Sequence, residues 1–396
     1  MNNTQRWNSV MMSNYGTPPL TLDHGDGVRV WDNAGNAYLD FVGGIAVSAL
    51  GHAHPAIVAA VTAQVSKIAH TSNLYMHEPG LTLAERLVGL LGVPARVFFA
   101  NSGAEANECA IKLVRKSGND RDRHEIVSCN ASFHGRTMGA LSLTGTVAKR
   151  APFEPLPGPV TFVDYGDVSA LRDAVSSGTA AVFVEPTLGE GGVVPPPSGY
   201  LAAVREICDS AGALMVVDEV QSGIGRTGHW FASLADGVRP DIITLAKGLG
   251  GGLPIGACLA LGPAGEIFAP GDHGSTFGAN PVSCAASLAV IDTIADQHLL
   301  DDVKRVGEHL AHALAGLDSP LIAGVRGSGL WRGVALSAPV AGAVEAAARD
   351  RGLLVNAVKP DALRLAPPLI LTESDVDEAM PKLAGALADV EAGGTQ

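Results

Sequence analysis

The stretch ALMVVDEVQSGIGRTG, residues 213–228, is a continuous apolar run that ends in two carboxylates and a glycine-rich turn. Four similar apolar runs occur elsewhere in the chain: ARVFFA (95–100), EIVSCN (125–130), AAVFVEP (180–186) and DIITLA (241–246). Because these runs are continuous and β-branched, they predict buried strands of a parallel sheet that is covered on both faces. Helical patterns such as 104–116 and 198–211 lie between them, so we expect an α/β doubly wound domain.

The two ends of the chain have a different pattern. Within residues 19–42, GVRVWD and AYLDFV flank the turn residues Asp32-Asn33-Ala34-Gly35 and predict a hairpin. The C-terminal third mixes helical and strand-like patterns: helices near 283–317, 340–351 and 373–391, and strands in VRGSGLWRGVAL, LLVNAV and ALRLAPP. We therefore expect a small α+β domain built from both termini, residues 1–60 and 285–396, beside a large domain of residues 61–284.

Composition limits the classes of function. The 396 residues include 27 Lys and Arg against 40 Asp and Glu, which gives a net charge of −13. Such a chain has no general attraction to nucleic acid or to an anionic membrane. The five cysteines form no C-x-x-C pair, and we expect free or buried thiols in a reducing compartment. No signal peptide and no apolar run of 18 residues is evident, so we expect a soluble cytoplasmic protein.

Ligands of open α/β sheets bind beyond the carboxyl ends of the strands, so the residues that follow each strand are informative. After ARVFFA, Ser102 and Glu105 have capping-box spacing and predict the start of a helix. Gly103 and Ala104 would leave the first amides of this helix unobstructed, which suits an anion such as phosphate. An ordinary capped helix is the simpler alternative.

The stretch 213–228 also contains G-x-G-x-x-G at Gly223, Gly225 and Gly228, a pattern of dinucleotide-binding folds. Asp218 and Glu219 directly before the turn would repel a pyrophosphate, and no clear long helix opens at the last glycine. A dinucleotide-dependent oxidoreductase is therefore the weaker hypothesis. A carboxylate at a buried strand end needs a cationic or protonated partner, and a structural arginine would also satisfy it.

Two further strands are followed by side chains of interest. Phe133 could stack on a flat ligand, although core packing is the simpler explanation, and His134 is more simply a satisfied structural histidine. Lys247 is the only charged side chain between Asp241 and Glu266, and a glycine cluster follows it. Desolvation lowers the pKa of a lysine, and the neutral amine then forms Schiff bases. A surface lysine on a glycine loop is the alternative. We expect no metal site, because His52 and His54 lack further ligands.

A phosphate seat, an aromatic plate, a strand-end acid and a desolvated lysine are together what pyridoxal phosphate requires. Six motifs occur in one order: SGAEAN, FHGRT, VEPTLGEGG, DEVQSGIGRTG, AKGLGGGLPIGA and HGSTFGANP. Together they closely resemble the class III pyridoxal-phosphate aminotransferases, from about Tyr15 to the last helix. GGIAVSALGHAHP, SNLYMHEPG and LRLAPPL resemble the acetylornithine branch of that family.

The resemblance implies fold type I and a homodimer with active sites shared between subunits. Lys247 would bond to the cofactor aldehyde and later move a proton between substrate and cofactor, and Asp218 would pair with the pyridine nitrogen. The other cofactor contacts that it implies are Gln221 near the ring hydroxyl, Val220 and Phe133 on opposite ring faces, His134, the phosphate-binding Ser102, Gly103 and Ala104, and Thr276 from the partner subunit.

The resemblance also implies the substrates. Terminal amine transfer from N2-acetyl-L-ornithine to 2-oxoglutarate would give N-acetyl-L-glutamate 5-semialdehyde and L-glutamate, a step of arginine biosynthesis. Arg136 and Arg364 are the candidates for binding carboxylates, and Ser275 is a further candidate for binding substrate. Glu190 would mask Arg364 in the first half-reaction and swing away in the second, unless the pair is a fixed bridge.

Other functions stay open at this point. The amino donor could instead be ornithine, succinylornithine, succinyl-diaminopimelate or 4-aminobutyrate, because motifs near the cofactor are shared among such enzymes. A binding protein that kept the fold without the activity is a further class. The intact set of lysine, acid and arginines argues against it.

Overall fold

The computed structural model describes residues 2–393, and its strands belong to three sheets. The strands are β1 (Leu22–Asp26), β2 (Arg29–Asp32), β3 (Ala37–Asp40), β4 (Ala95–Ala100), β5 (Glu125–Cys129), β6 (Val160–Val163), β7 (Thr179–Val184), β8 (Leu214–Asp218), β9 (Ile242–Leu245), β10 (Gly256–Leu261), β11 (Ile322–Ser328), β12 (Trp331–Leu336), β13 (Leu353–Leu354), β14 (Asn356–Lys359) and β15 (Ala362–Leu365).

Helices connect and cover these strands. They are α1 (Asn3–Val10), the single turn α2 (Gly43–Ala46), α3 (Pro55–Val65), α4 (Glu78–Leu91), α5 (Gly103–Asn119), α6 (Met138–Leu143), α7 (Val147–Arg150), α8 (Val168–Ala174), α9 (Tyr200–Ala211), α10 (Ala232–Ala235), α11 (Pro281–Asp296), α12 (Leu299–Ala315), α13 (Ala341–Asp350) and α14 (Glu373–Gly393). No helix among residues 2–393 is long and apolar enough to cross a membrane.

The largest sheet has seven strands in the order β4-β10-β9-β8-β7-β5-β6. Strands β9, β8, β7, β5 and β6 are parallel, whereas β10 runs antiparallel to both of its neighbours. The sheet is thus mostly parallel, as expected, but the sequence analysis placed no strand at 256–261. Glycine weakens strand patterns, yet Gly256 is required here, since a Cβ on it would lie 2.2 Å from the carbonyl oxygen of Ser102.

Both faces of this sheet are buried, as the continuous apolar runs predict. Successive residues of β8 point to opposite sides: Val216 packs in the cluster that includes Val114 of α5, and Val217 packs in the cluster that includes Val204 of α9. The predicted helices at 104–116 and 198–211 are these two helices. Helices α5 and α9 cover opposite faces of the sheet. The carboxyl edge of the sheet stays uncovered and is available for a ligand.

The chain ends come together in a smaller sheet. The predicted hairpin forms from β2 and β3, which pair antiparallel. Strand β13, from the C-terminal third, then pairs parallel with β3, and Leu353 lies opposite Leu39. A separate sheet, in the order β11-β12-β15-β14, carries Arg364 on β15. The domain limits at residues 60 and 285 stay a prediction.

Candidate active site

A cavity of about 470 Å³ lies at the carboxyl edge of the large sheet. The loops that leave β4, β5, β7, β8 and β9 all contribute to it, because these strands end at the same edge. Ten of the residues that the sequence analysis singled out line this cavity: Ser102, Gly103, Ala104, Phe133, His134, Arg136, Asp218, Val220, Gln221 and Lys247. Residues spread over 146 positions of sequence are therefore collected in one site.

Asp218 ends β8 and is buried at the base of the cavity. Its Oδ2 accepts a hydrogen bond from Asn107 Nδ2 at 2.8 Å and lies 2.8 Å from His134 Nδ1. Its Oδ1 accepts from the backbone N–H of Val220 at 2.9 Å. Asn107 is held in turn by the hydroxyl of Thr244 on β9, which donates to its Oδ1 at 2.8 Å. The carboxylate is thus fixed from three directions.

His134 is the protonatable partner that a buried strand-end acid requires. Burial disfavours the imidazolium, but the hydrogen bond and the charge of Asp218, with the charge of Glu185, outweigh burial and raise the pKa of His134. The arginine that could have served as a structural partner is absent from the neighbours of this carboxylate within residues 2–393. Asp218 therefore remains free to use its negative charge toward the cavity.

The helix α5 begins at the cavity with small residues. Ser102 Oγ accepts from the backbone N–H of Glu105 at 3.2 Å, as predicted. The helix starts at Gly103, as the capping-box spacing predicts, and the Glu105 carboxylate accepts from the backbone N–H of Asn101 at 2.8 Å. A Cβ on Gly103 would lie 2.8 Å from a methyl carbon of Val220. Only glycine fits between this helix terminus and the residue that follows β8.

Lys247 is the second residue after β9 and is partly buried. Burial and the charge of Arg364 lower the pKa of the Lys247 amine to about 8, against the opposing charges of Glu190, Asp218 and Glu185. Among residues 2–393, no carboxylate oxygen lies within 4.0 Å of its Nζ, so these acids act on it at a distance. The lysine also has a φ of 43°, in the left-handed region that side chains rarely adopt.

Glu190 and Arg364 form an ion pair beside the lysine. Arg364 Nη1 donates to Glu190 Oε1 at 2.7 Å and to Gln221 Oε1 at 2.9 Å, and its Nη2 donates to Asn356 at 2.7 Å. Arg364 is buried, whereas 23% of the Glu190 side chain is exposed. Burial favours the neutral acid, but the charges of Arg364, Lys149 and Lys247 outweigh it and lower the pKa of Glu190. The pair therefore stays ionised.

Sequence reasoning missed one buried acid of the site, Glu185, at the end of β7. Its two oxygens accept from the backbone N–H groups of Phe133 at 2.9 Å and of Gly189 at 3.1 Å. Burial raises the pKa of Glu185 to about 7, although the charge of His134 opposes this. The VEP motif contained the signal, since this glutamate follows a buried strand as Asp218 does.

Four predicted residues do not line the cavity of this chain: Glu190 and Arg364, which pair with each other next to Gln221, and Ser275 and Thr276. Thr276 is exposed on the loop before α11. Ser275 accepts at Oγ from the backbone N–H of Gly278 at 2.9 Å and from Asn101 at 3.2 Å, and so holds the turn of that loop. The five cysteines are all free and buried, as expected. Within residues 2–393, no group of three or more His, Cys, Asp or Glu side chains is placed to bind a metal.

Comparison with known proteins identifies this arrangement. A family model described as aminotransferase class III matches residues 10–387. The chain belongs to the class III aminotransferase family. It is 57% identical to the acetylornithine aminotransferase of Mycolicibacterium smegmatis, over 96% of this chain and 97% of that protein. It is 55% identical to that of Streptomyces coelicolor, over 97% and 95% of the two chains.

Solved structures of an ornithine aminotransferase and of other transaminases have the same fold. An ornithine aminotransferase from Toxoplasma gondii matches with a TM-score of 0.93 at 32% identity, over 99% of this chain and 95% of that one. A transaminase from a marine Virgibacillus matches with a TM-score of 0.93 at 28% identity, over 98% and 99%. The predicted fold, the aminotransferase class and pyridoxal phosphate as its cofactor are confirmed, and the dinucleotide hypothesis is wrong.

Proposed function

We propose that this aminotransferase transfers the terminal amine of N2-acetyl-L-ornithine to 2-oxoglutarate. The observation that carries the proposal is the Arg364–Glu190 ion pair beside Lys247. Arg364 can bind the second carboxylate of a substrate, and Glu190 neutralises this arginine when no such carboxylate is present. The acetylornithine aminotransferases from M. smegmatis and S. coelicolor, which are 55% to 57% identical over nearly the whole chain, support the donor. This assignment places the reaction in arginine biosynthesis.

The cavity fits pyridoxal phosphate in the chemistry of its donors. Asp218, buried and tied by three donors, suits the protonated ring nitrogen. The α5 terminus at Ser102, Gly103 and Ala104 lines the cavity and suits the phosphate, because the first backbone N–H groups of a helix have no acceptor within the helix. When bound, the cofactor withdraws electrons from the substrate carbon that loses its proton.

The remaining cofactor contacts follow from the lining of the cavity. Phe133 and Val220 reach it from the loops after β5 and β8 and suit the two faces of a flat ring. Gln221 lies between Arg364 and the cavity, so its amide suits the ring hydroxyl. His134 acts through Asp218, whose charge it balances. Arg136 is exposed at the mouth of the cavity, where it suits the carboxylate of the amino donor.

Lys247 acts as the nucleophile and the base of the reaction. A pKa of about 8 rather than 10.5 makes the neutral amine about 300 times more abundant at pH 7. With the cofactor bound, the neutral amine of Lys247 would hold its aldehyde carbon, and once the amino donor takes that place the same nitrogen would hold and move the proton of the substrate carbon. The absence of a paired carboxylate serves this role, since an ion pair would keep the amine protonated.

Glu190 acts as a gate on Arg364. While the gate is closed, Arg364 is neutralised and a donor with one carboxylate, such as acetylornithine, is preferred. When 2-oxoglutarate enters, its second carboxylate displaces Glu190 and forms a bidentate pair with the guanidinium of Arg364. One cavity can thus accept two substrates that differ in charge.

We infer a cytoplasmic homodimer with shared sites. Leu74, Tyr75 and Met76 are 72% to 86% exposed, and Phe277 is 60% exposed on the nearby loop of Thr276. Asn73 ties the two segments together, since its Nδ2 donates to the carbonyl of Gly278 at 3.1 Å. This apolar surface supports a subunit contact that carries Thr276 into the partner's cavity. Five free, buried thiols support a reducing compartment.

The test of the donor is a set of single-turnover reactions with the holoenzyme. The loss of cofactor absorbance is followed after mixing with N2-acetylornithine, ornithine, succinylornithine, succinyl-diaminopimelate or 4-aminobutyrate. We expect the fastest bleaching with N2-acetylornithine. Faster bleaching with another amine would contradict N2-acetylornithine as the donor, and the assignment as an aminotransferase would stand. The Lys247→Ala protein, which should bind cofactor without turnover, gives the baseline.

A further inference from the structure

Glu190 has a second cation within reach. Lys149, in the short helix α7, places its Nζ 3.6 Å from Glu190 Oε2, while Arg364 holds Oε1 at 2.7 Å. The two carboxylate oxygens therefore face different cations. The Arg364 contact is a hydrogen bond, and the Lys149 contact is still too long to be one.

From this geometry we propose that Lys149 is the open-state partner of Glu190, which receives the carboxylate when a substrate takes Arg364. The proposal rests on the gate described above. An acid released from Arg364 inside a partly buried site needs compensation, because an unpaired charge there is costly. A shift of less than about 1 Å brings Oε2 to hydrogen-bond distance of Lys149 Nζ.

The surroundings of Lys149 fit a receiving position. Its side chain is 26% exposed and that of Glu190 is 23% exposed, whereas Arg364 is only 3% exposed. A move from Arg364 to Lys149 thus carries Glu190 toward solvent and clears the buried cation. Lys149 is itself positioned by Phe133, since its Nζ lies 4.7 Å from the centroid of that ring. The receiving cation is held in place before the gate opens.

The alternative is that Lys149 binds the substrate carboxylate directly. The two roles differ in how they depend on Glu190. If Lys149 acts through Glu190, its removal has no effect once Glu190 has lost its charge. If Lys149 binds the substrate, its removal weakens the reaction in both backgrounds. A double-mutant cycle between Lys149→Met and Glu190→Gln separates these roles.

The experiment compares four holoenzymes, wild type, Lys149→Met, Glu190→Gln and the double variant, in single turnovers with glutamate and with N2-acetylornithine. Lys149→Met removes the cation and keeps an apolar stem beside Phe133. We expect it to slow the glutamate reaction roughly three- to fivefold, as for loss of a partly exposed ion pair, and to leave acetylornithine unchanged. Glu190→Gln should have the opposite sign and speed glutamate by about tenfold.

A binding measurement serves as an independent readout. Calorimetry measures the affinity of each holoenzyme for glutarate, a dicarboxylate without an amine. Butyrate, which has one carboxylate, serves as the comparison ligand. Lys149→Met should weaken glutarate roughly three- to fivefold and leave butyrate unchanged. Lys149→Arg keeps the charge and should restore the affinity for glutarate.

Lys382→Met is the matched control variant. Lys382 is 28% exposed, and its Nζ lies 3.7 Å from Glu378 in α14, outside the site. Lys382→Met should change neither the single-turnover rates nor the affinities for glutarate and butyrate. The unfolding midpoint and the cofactor spectrum of each variant are measured to check that the fold is kept.

The outcomes separate the two proposals. If Glu190→Gln leaves the ratio of the glutamate and acetylornithine rates unchanged, the gate fails and the role of Lys149 fails with it. If Glu190→Gln shifts that ratio and Lys149→Met does not, only the role of Lys149 is overturned. An equal loss from Lys149→Met in both backgrounds also overturns it, in favour of direct substrate binding.

Discussion

Replacing Lys247 by methionine should stabilise the protein without cofactor at neutral pH. The folded state lowers the pKa of this amine from 10.5 to about 8, through burial and the charge of Arg364. The folded protein therefore holds the protonated lysine less well than the unfolded chain does. Methionine has a similar length and no charge, so it removes this cost. The positive φ of 43° is equally unfavourable for lysine and for methionine, so it does not contribute to the difference in stability.

The pKa difference gives the size and the pH range of the effect. A change from 10.5 to about 8 corresponds to roughly 3 kcal/mol of unfolding free energy. The cost is fully present below pH 8, where the amine is charged in both states. It decreases between pH 8 and 10.5, where only the unfolded chain keeps the proton, and it is absent above that range. Wild type should therefore gain stability relative to the variant as the pH rises.

Urea unfolding of the two cofactor-free proteins measures this prediction. Both are compared at one protein concentration at pH 7.0 and at pH 10. We expect Lys247→Met to be more stable by up to about 3 kcal/mol at pH 7.0, and to have lost most of that advantage at pH 10. A variant that is less stable than wild type at pH 7.0, or whose advantage does not depend on pH, would refute the claim that desolvation tunes the lysine.

Three further predictions concern the rest of the site. Asp218→Asn removes the charge that raises the pKa of His134, and we expect kcat to fall by at least about 100-fold, with a lower imidazole pKa by NMR titration. Gly103→Val places side-chain carbon 2.8 Å from Val220, so cofactor affinity measured by equilibrium dialysis should fall at least about tenfold. Glu185→Gln leaves one backbone N–H unpaired and should cost about 1–3 kcal/mol in urea unfolding near pH 4.5, where the folded protein holds this acid protonated. As the pH rises from 4.5 to about 7, the raised pKa of Glu185 should lower the stability of wild type, and the variant should lack this decrease.

Each of these three can fail in a definite way. Asp218→Asn activity within threefold of wild type would mean that the acid does not serve the cofactor nitrogen. An unchanged cofactor affinity in Gly103→Val would show that the α5 terminus is not the phosphate seat. A Glu185→Gln protein of wild-type stability would show that both backbone N–H groups find other partners.

The sequence was sufficient for the parts of the fold that depend on local patterns. Continuous apolar runs predict β8 and its parallel neighbours, because a strand buried on both faces has few polar residues. Strand β10 was missed, since Gly256 lowers strand propensity and is explained only by the close approach of the Ser102 carbonyl. Tertiary proximity of this kind has no signature in a local pattern.

The same limit applies to the site. Gly103, Asp218 and Lys247 could be found because each lies within three residues of the end of a predicted apolar run. Asn107 and Lys149 could not, because their roles depend on residues more than 40 positions away in sequence. Lys247 shows the difference most clearly. Its sequence neighbours include no acid, yet Glu190 and Asp218 act on its charge from other loops.

The two acids Asp218 and Glu190 are held in different ways, and the difference suits a fixed role for Asp218 and the movable role that we propose for Glu190. Asp218 is buried, and it accepts from Asn107, His134 and a backbone N–H, so any displacement breaks several hydrogen bonds and leaves buried donors unpaired. Glu190 is partly exposed and is held by side chains alone, one on each oxygen. In the proposed gate, leaving Arg364 costs Glu190 one hydrogen bond, and the 3.6 Å contact with Lys149 Nζ shortens to form another. The number and origin of the donors, more than the strength of any single ion pair, decide which carboxylate stays in place and which one moves.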